Sequence, residues 1–281
     1  SSVIAMVSIG QGAQGNIQKS IQSLGSNLIQ VTPGTQRNQG FGASAGRGTA
    51  QSLTNDDAKT ILENVQNIKD ATVEVSGRYQ ITAKGTNTNT SVIGVNESYP
   101  NIRNISIDEG SFITNAEGAS LSKVAVIGPS VRDDLFGIGA TDVIGQIIRI
   151  KNLQFKIIGI TVAKGGSGFS NQDDTVYVPA ESAQRFLTGS KFVSSIDIAA
   201  VDSQSMTQVQ NDVTELLLSR HKISDPTLAD FSVLNQNDLI STVSSVTQTL
   251  TLLLASVAGI SLVVGGIGIM NMMLTTVTER T

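Results

Sequence analysis

The chain has no cysteine, a single histidine, five prolines and few aromatic residues. Without cysteine there is no disulfide framework and no thiolate metal site. The absence suits an oxidising compartment outside the cytoplasm. One histidine leaves little room for histidine-based catalysis. His221 stands in Leu-Leu-Leu-Ser-Arg-His-Lys at a predicted helix end, where a basic side chain serves the last carbonyls and the helix dipole. No GxxxxGK[ST] motif occurs, so no P-loop can hold a nucleotide. Basic clusters are missing too. With a net charge of −4 and a pI near 5.0, the chain is poorly suited to a nucleic-acid partner. The residues therefore offer no catalytic, cofactor-binding or metal-binding site.

Charge is also missing from a long continuous stretch, Leu239 to Thr278. Its densest part, Leu250–Leu274, would reach roughly 37 Å as a helix, enough to cross a hydrocarbon core of about 30 Å with some tilt. A soluble helix normally keeps one face for water. The stretch reads as a transmembrane helix over 250–278. The opening Ser-Ser-Val-Ile-Ala-Met-Val-Ser-Ile-Gly has no basic n-region and does not read as a signal peptide. It reads instead as the last turns of another apolar helix, continued by a stalk to residue 24. On this reading the chain is the middle of a longer membrane protein.

Between the apolar ends the pattern is that of soluble protein. A short strand over Asn27–Val31 stops at Thr-Pro-Gly, and residues 34–52 read as a loop rich in Gly, Ser and Gln. Thr54-Asn-Asp-Asp57 has the form of a capping box, followed at helical spacing by Ala58, Ile61, Leu62, Val65 and Ile68. Strands are predicted at Ala71–Ser76, Arg78–Ala83 and Ser91–Val95. The same plan recurs later: a strand at Val193–Val201, a helix over Ser205–Arg220 and a strand at Phe231–Leu234. Two such units point to an α+β fold, a split ferredoxin-like domain (β-α-β … β-α-β) formed by 25–95 and 191–236.

Residues 96–190 between them read as an inserted, mainly β domain. Its strands are Val124–Ile127, Gln146–Ile150, Gln154–Ile160 and Thr175–Val178, its short helices begin at Pro129 and Ala180, and Lys164–Asp174 is a loop. A second stalk over 237–249 should run without a break into the transmembrane helix.

Two motifs carry less than they spell. Gly10-Gln-Gly-Ala-Gln-Gly15 matches a dinucleotide fingerprint but lacks the acidic residue about twenty positions on. The pairs Asp56/Asp57, Asp133/Asp134 and Asp173/Asp174 are adjacent in sequence, so their side chains diverge, and helix-start or loop roles are expected. Within the apolar stretch, Ala258, Ser261, Gly265 and Gly268 form a stripe of small residues that would let another helix approach closely. That stripe is the one candidate site, a packing face inside a membrane.

The closing Gly265-Gly-Ile-Gly-Ile-Met-Asn-Met-Met-Leu-Thr-Thr-Val-Thr-Glu-Arg-Thr281 resembles the second transmembrane segment of MacB-type ABC transporter permeases. Ile4-Ala-Met-Val-Ser-Ile-Gly-Gln-Gly-Ala13 is similar to the end of that family's first span. Leu24-Gly-Ser-Asn-Leu-Ile-Gln-Val-Thr-Pro-Gly34, Asp173-Asp-Thr-Val-Tyr-Val-Pro179 and the pieces Ser219-Arg-His-Lys-Ile and Asp230-Phe-Ser-Val are similar to further family segments. The resemblance implies an extracytoplasmic "porter" part with an inserted "sabre" part, in the bacterial inner membrane. It also implies a partner ATPase holding ATP and Mg, a second permease copy and membrane lipid. Where the envelope has an outer membrane, an adaptor and exit duct are added. Export driven by mechanotransmission is the function it implies. A lipoprotein-releasing permease, or a tail-anchored extracytoplasmic binding domain without a transport role, are the alternatives.

Overall fold

The computed structural model describes residues 27–34, 51–165 and 172–278. The expected end of a first span with its stalk (1–24), the Gly10–Gly15 motif and most of the 34–52 loop lie outside the described residues. So do the centre of the Lys164–Asp174 loop and the final Glu-Arg-Thr.

The chain divides into two compact units, and Ser23–Gln236 forms one of them. Its first strand, β1 (Leu28–Pro33), runs two residues beyond the predicted stop, because it pairs with β10 (Phe231–Asn235) through Pro33↔Phe231. Helix α1 (Asn55–Asn64) starts at Thr54 as predicted: the Asp57 carboxylate accepts from the Thr54 amide at 2.9 Å and from its hydroxyl at 2.8 Å. It buries Ala58 and Ile61. The predicted helical face extends too far, however. The helix ends at Asn64, Leu62 is exposed, and Asn67 turns the chain with φ 61°, a left-handed conformation that asparagine tolerates. Ile68 then opens a strand instead of closing a helix.

That strand, β2 (Ile68–Ala83), is one continuous 16-residue element where the sequence suggested two. Gly77 does not break it, since Gly77 pairs with Val92 of β3 (Thr86–Val95). Lys84 and Gly85 join β2 to β3 with φ of 49° and 85°, the paired positive angles of a tight hairpin turn. The first half of β2 pairs antiparallel with β9 (Ser195–Ala200), and its second half pairs with β3 and, at Ile81 and Thr82, with β6 (Ile147–Ile150).

Beyond β3 the chain forms α2 (Tyr99–Ile102), β4 (Ile107–Gly110), α3 (Asn115–Ala119), β5 (Val124–Ile127) and α4 (Pro129–Phe136). After β6 come β7 (Leu153–Thr161) and β8 (Thr175–Pro179). Then α5 (Ala180–Ser182) runs into a π-helical turn over Ala183–Thr188. The sheet path reads β10-β1-β9-β2-β3-β8-β5-β7-β4, with β6 attached to β2 and β7. Its first three pairings, β10–β1, β1–β9 and β9–β2, are all antiparallel. β3–β8 and β5–β7 are parallel.

Helix α6 (Met206–Arg220) buries Met206, Val209, Val213 and Leu217, one stripe at helical spacing. They join Ile29 and Val31 of β1, Val73 and Val75 of β2, Ile196 and Ile198 of β9, and Ile61 of α1 in one core. The same core continues through Ile81, Val92, Ile148, Phe155 and Val176. A smaller cluster of Val95, Tyr99, Ile113, Val126 and Tyr177 packs separately, with the Tyr99 and Tyr177 rings 5.6 Å apart. Where the π-helical turn crosses β3, a side chain at Gly94 would collide with Ala183, so only glycine fits there.

Candidate functional site: an apolar helix and a set of buried charges

Helix α7 (Gln236–Thr278) begins at the residue after β10 and continues for 43 residues. The predicted stalk and transmembrane helix are thus one helix. From Asn237 on it belongs to the second compact unit. Ser245–Met270 is long enough to cross a membrane; its most apolar 18-residue window has a mean hydropathy of 2.3, and none of that window is buried. Leu262, for example, is 76% exposed. Its hydroxyls are satisfied within the helix. Thr249, Thr251, Ser256 and Ser261 each donate to the carbonyl four residues back at 2.8–2.9 Å. Such back-bonding is what a hydroxyl needs where no water is at hand.

The small-residue stripe lies within this helix. Ser261, Gly265 and Gly268 are exposed and Ala258 is half-buried. Among the described residues nothing lies within 4 Å of the position a Cβ would take at Gly265 or Gly268.

A second feature was not foreseen. On β9, Ile196, Ile198 and Ala200 face the core, so alternation turns Ser195, Asp197 and Ala199 to the other side. Register places Asp197 beside Thr72 of β2 and Gln30 of β1, and Ser195 beside Glu74. This polar face is largely shielded from water, with Asp197 fully buried, because α2 and the residue that follows it cover it. The Arg103 Nε donates to Asp197 Oδ2 at 2.7 Å, and its Nη2 lies 2.6 Å from the same oxygen and 3.1 Å from Glu74 Oε1. Gln30 Nε2 donates to Asp197 Oδ1 at 3.0 Å, and the Ser195 hydroxyl donates to Glu74 Oε2 at 3.2 Å. Asn96 holds the start of the covering segment: its Oδ1 accepts from the Thr72 hydroxyl at 2.5 Å and its Nδ2 donates to the Ala71 carbonyl at 3.3 Å. Burial, then the charge of Glu74, raises the Asp197 carboxyl well above the usual carboxylate range, and Arg103 opposes this. Burial likewise pushes the Tyr99 and Tyr177 phenols up.

Asp56/Asp57 stand at a helix start and Asp173/Asp174 in a turn, as read from the sequence, whereas Asp133/Asp134 fall in the second half of α4. Asp57 caps α1 and accepts from Arg220 Nε at 2.9 Å, and Arg220 also reaches Asp56 at 3.3 Å. Asp133 binds Arg132 and the Gly139 amide, and Asp134 accepts from the Thr88 hydroxyl at 2.9 Å. Asp173 accepts from the Lys164 and Gly165 amides. His221 follows the last residue of α6, as read. Its imidazole, however, serves side chains: Nδ1 is 2.8 Å from Asp230 Oδ1 and Nε2 is 3.8 Å from Asp57 Oδ2. Among the described residues no group of three or more His, Asp or Glu side chains is arranged to hold a metal ion.

Residues 1–216 match the family described as MacB-like periplasmic core domain. The chain is 41% identical over 280 residues to a macrolide export ATP-binding/permease protein MacB of Bdellovibrio bacteriovorus, covering 99% of this chain and 42% of that protein. A protein of the same description from Azoarcus sp. is 36% identical over 281 residues, 100% of this chain and 41% of the relative. The chain thus spans about two-fifths of the length of these relatives. Among solved structures, the periplasmic region of MacB from Actinobacillus actinomycetemcomitans has the same fold, with a TM-score of 0.66 at 22% identity over 82% of this chain and 98% of that one. The extracellular domain of the transporter YknZ from Gram-positive bacteria also aligns, with a TM-score of 0.59 at 16% identity over 74% and 100% of the two chains. The family match over residues 1–216 and the relatives at 36–41% identity over the whole chain agree, and the chain belongs to the MacB-like periplasmic core domain family.

Proposed function

We propose that this chain is the extracytoplasmic region and second transmembrane helix of an ABC transporter permease of the MacB mechanotransmission type. It is not itself catalytic. A partner ATPase domain or subunit hydrolyses ATP with Mg in the cytoplasm, and the permease turns that cycle into export on the far side of the bacterial inner membrane. The observation that carries this reading is the continuity of α7: one helix leads from the residue after β10 through the membrane-length segment Ser245–Met270. A lever needs a stiff element, and within residues 237–278 an unbroken hydrogen-bonded helix is one.

The finer architecture follows the same reading. The order β10-β1-β9-β2, all antiparallel, with α1 and α6 each linking two of these strands, supports a split ferredoxin-like porter part over 25–95 and 191–236. Residues 96–190 are then the inserted sabre part, and the long β2, pairing with both β9 and β3, carries the passage between them. Residues 237–249 are the stalk. The stripe Ala258, Ser261, Gly265 and Gly268 is a helix-packing face, toward a second permease copy or another span. A periplasmic adaptor and an exit duct complete the assembly where an outer membrane exists.

The test is a joint placed in the lever. In the complete transporter, Gln248→Pro should leave ATP hydrolysis running while export falls by at least about tenfold, because proline removes an internal helix hydrogen bond. Export that survives the substitution would overturn the lever, as a tail-anchored binding domain requires. Gly265→Leu should lower cross-linking between permease copies if the stripe meets the second copy. Unchanged cross-linking would assign it to packing within one subunit.

A further inference from the structure

The charges under α2 do not balance. Two carboxylates, Glu74 and Asp197, converge on one Nη2 of Arg103, at 3.1 and 2.6 Å. The Asp197 side chain has no exposure at all, and those of Glu74 and Arg103 are 13% and 15% exposed. The other charged or titratable groups facing this point are few. Tyr99 belongs to α2 and Tyr177 to β8, and neither carries charge below strongly alkaline pH. Lys164, which follows β7, donates from Nζ to the Arg103 carbonyl at 2.8 Å, and Asp173 accepts from the Lys164 amide at 2.8 Å. Counting Lys164 and Asp173 with the three central groups leaves two positive against three negative charges. A surplus negative charge in a dry site is removed most cheaply by a proton.

The site is also a joint. Asp197 belongs to β9 and Glu74 to β2, whereas Arg103 lies on the segment that leaves β3 and folds back over the sheet. We propose that Asp197, buried beside Glu74 and Arg103, holds a proton at neutral pH, and that this proton fastens the α2–Arg103 segment onto the β1–β9–β2 sheet. The clasp rests on the geometry of these residues alone and does not depend on the transport reading.

The sign of the pH effect follows from the raised Asp197 carboxyl. A group whose proton is held more tightly in the folded state stabilises it fully at acid pH, and the contribution is lost as pH rises through the folded-state titration. The clasp is therefore tighter in an acidified extracytoplasmic compartment and looser in an alkaline one.

Infrared spectroscopy of the full chain in detergent tests this at neutral pH. A carbonyl stretch of a buried protonated carboxyl should be present in the wild type. It should be lost in Asp197→Asn and also in Glu74→Gln, since either substitution removes the surplus charge and leaves an ordinary pair with Arg103. A band absent from the wild type, or one that survives both substitutions, overturns the proposal. Should either variant fail to fold, the wild type alone decides. Unfolding it at about pH 7 should release one carboxyl-held proton per chain, because free carboxyls are ionised there, and release of none contradicts the clasp.

Discussion

Helices α6 and α7 obey opposite rules. The first, Met206–Arg220, places Met206, Val209, Val213 and Leu217 in the core, packs Leu216 and Leu218 against its edge, and gives its remaining positions to Thr, Gln, Asn, Asp, Glu, Ser and Arg. The second, Gln236–Thr278, carries no charge from Leu239 on, is dominated by apolar residues from Leu252 to Ile269, and buries none of its most apolar window. A helix in water offsets its ordering entropy by burying a stripe. A helix that exposes Leu252, Ile260, Leu262 and Ile269 all round would raise the free energy of the folded chain in water. The contrast is what the proposed membrane setting of α7 accounts for.

Substitutions can break this contrast at either helix. The largest effect belongs to Val213→Asp in α6. An ionised carboxylate in that core should cost about 4 kcal/mol or more and abolish cooperative unfolding of Ser23–Gln236, read by circular dichroism. Next is a matched pair. Leu217→Ala should lower unfolding stability by about 2–5 kcal/mol, whereas Leu262→Ala should change it by less than about 0.5 kcal/mol. Val263→Arg should raise the cost of membrane insertion by about 2.5–3.5 kcal/mol, seen as a soluble fraction in membrane flotation, while the melting of Ser23–Gln236 stays unchanged. Thr54→Ala, at the start of α1, should cost about 1 kcal/mol in the same unfolding experiment.

Much of this arrangement is legible from local pattern. The uncharged run names α7, and the capping box at Thr54 starts α1. Val124–Ile127, Pro129 and Ala180 mark elements that begin where turn residues and β-branched runs put them. Other elements escape because their signals are weak or overruled. The strand Ile107–Gly110 reads Ile-Asp-Glu-Gly, which looks like a turn and becomes a strand only by pairing with β7. Helix α3 starts at a second capping box, Thr114 to Glu117, which spacing alone could have revealed. The buried charges could not be read at all. Arg103 meets Glu74 across 29 positions and Asp197 across 94, and Ser-Ile-Asp-Ile on β9 alternates like a strand with one face in water. Only the chain folding back at α2 turns that face into an interior.

The stripe of small residues stands between these cases. Its spacing is plain in the sequence, and the exposure of Gly265 and Gly268 leaves room for a close partner. Its partner is a matter of assembly, which spacing on one helix does not encode.

The absence of cysteine, which removed disulfides and thiolate sites from consideration, also gives a clean background for the most direct test. Single substitutions along α7, such as Asn237→Cys, Leu252→Cys, Leu262→Cys and Ile269→Cys, can be probed with a membrane-impermeant maleimide in intact membranes. The account predicts labelling at position 237 and protection at 252, 262 and 269, with labelling restored at all three on detergent solubilisation. Equal labelling of all four positions before detergent would place α7 in water and contradict it.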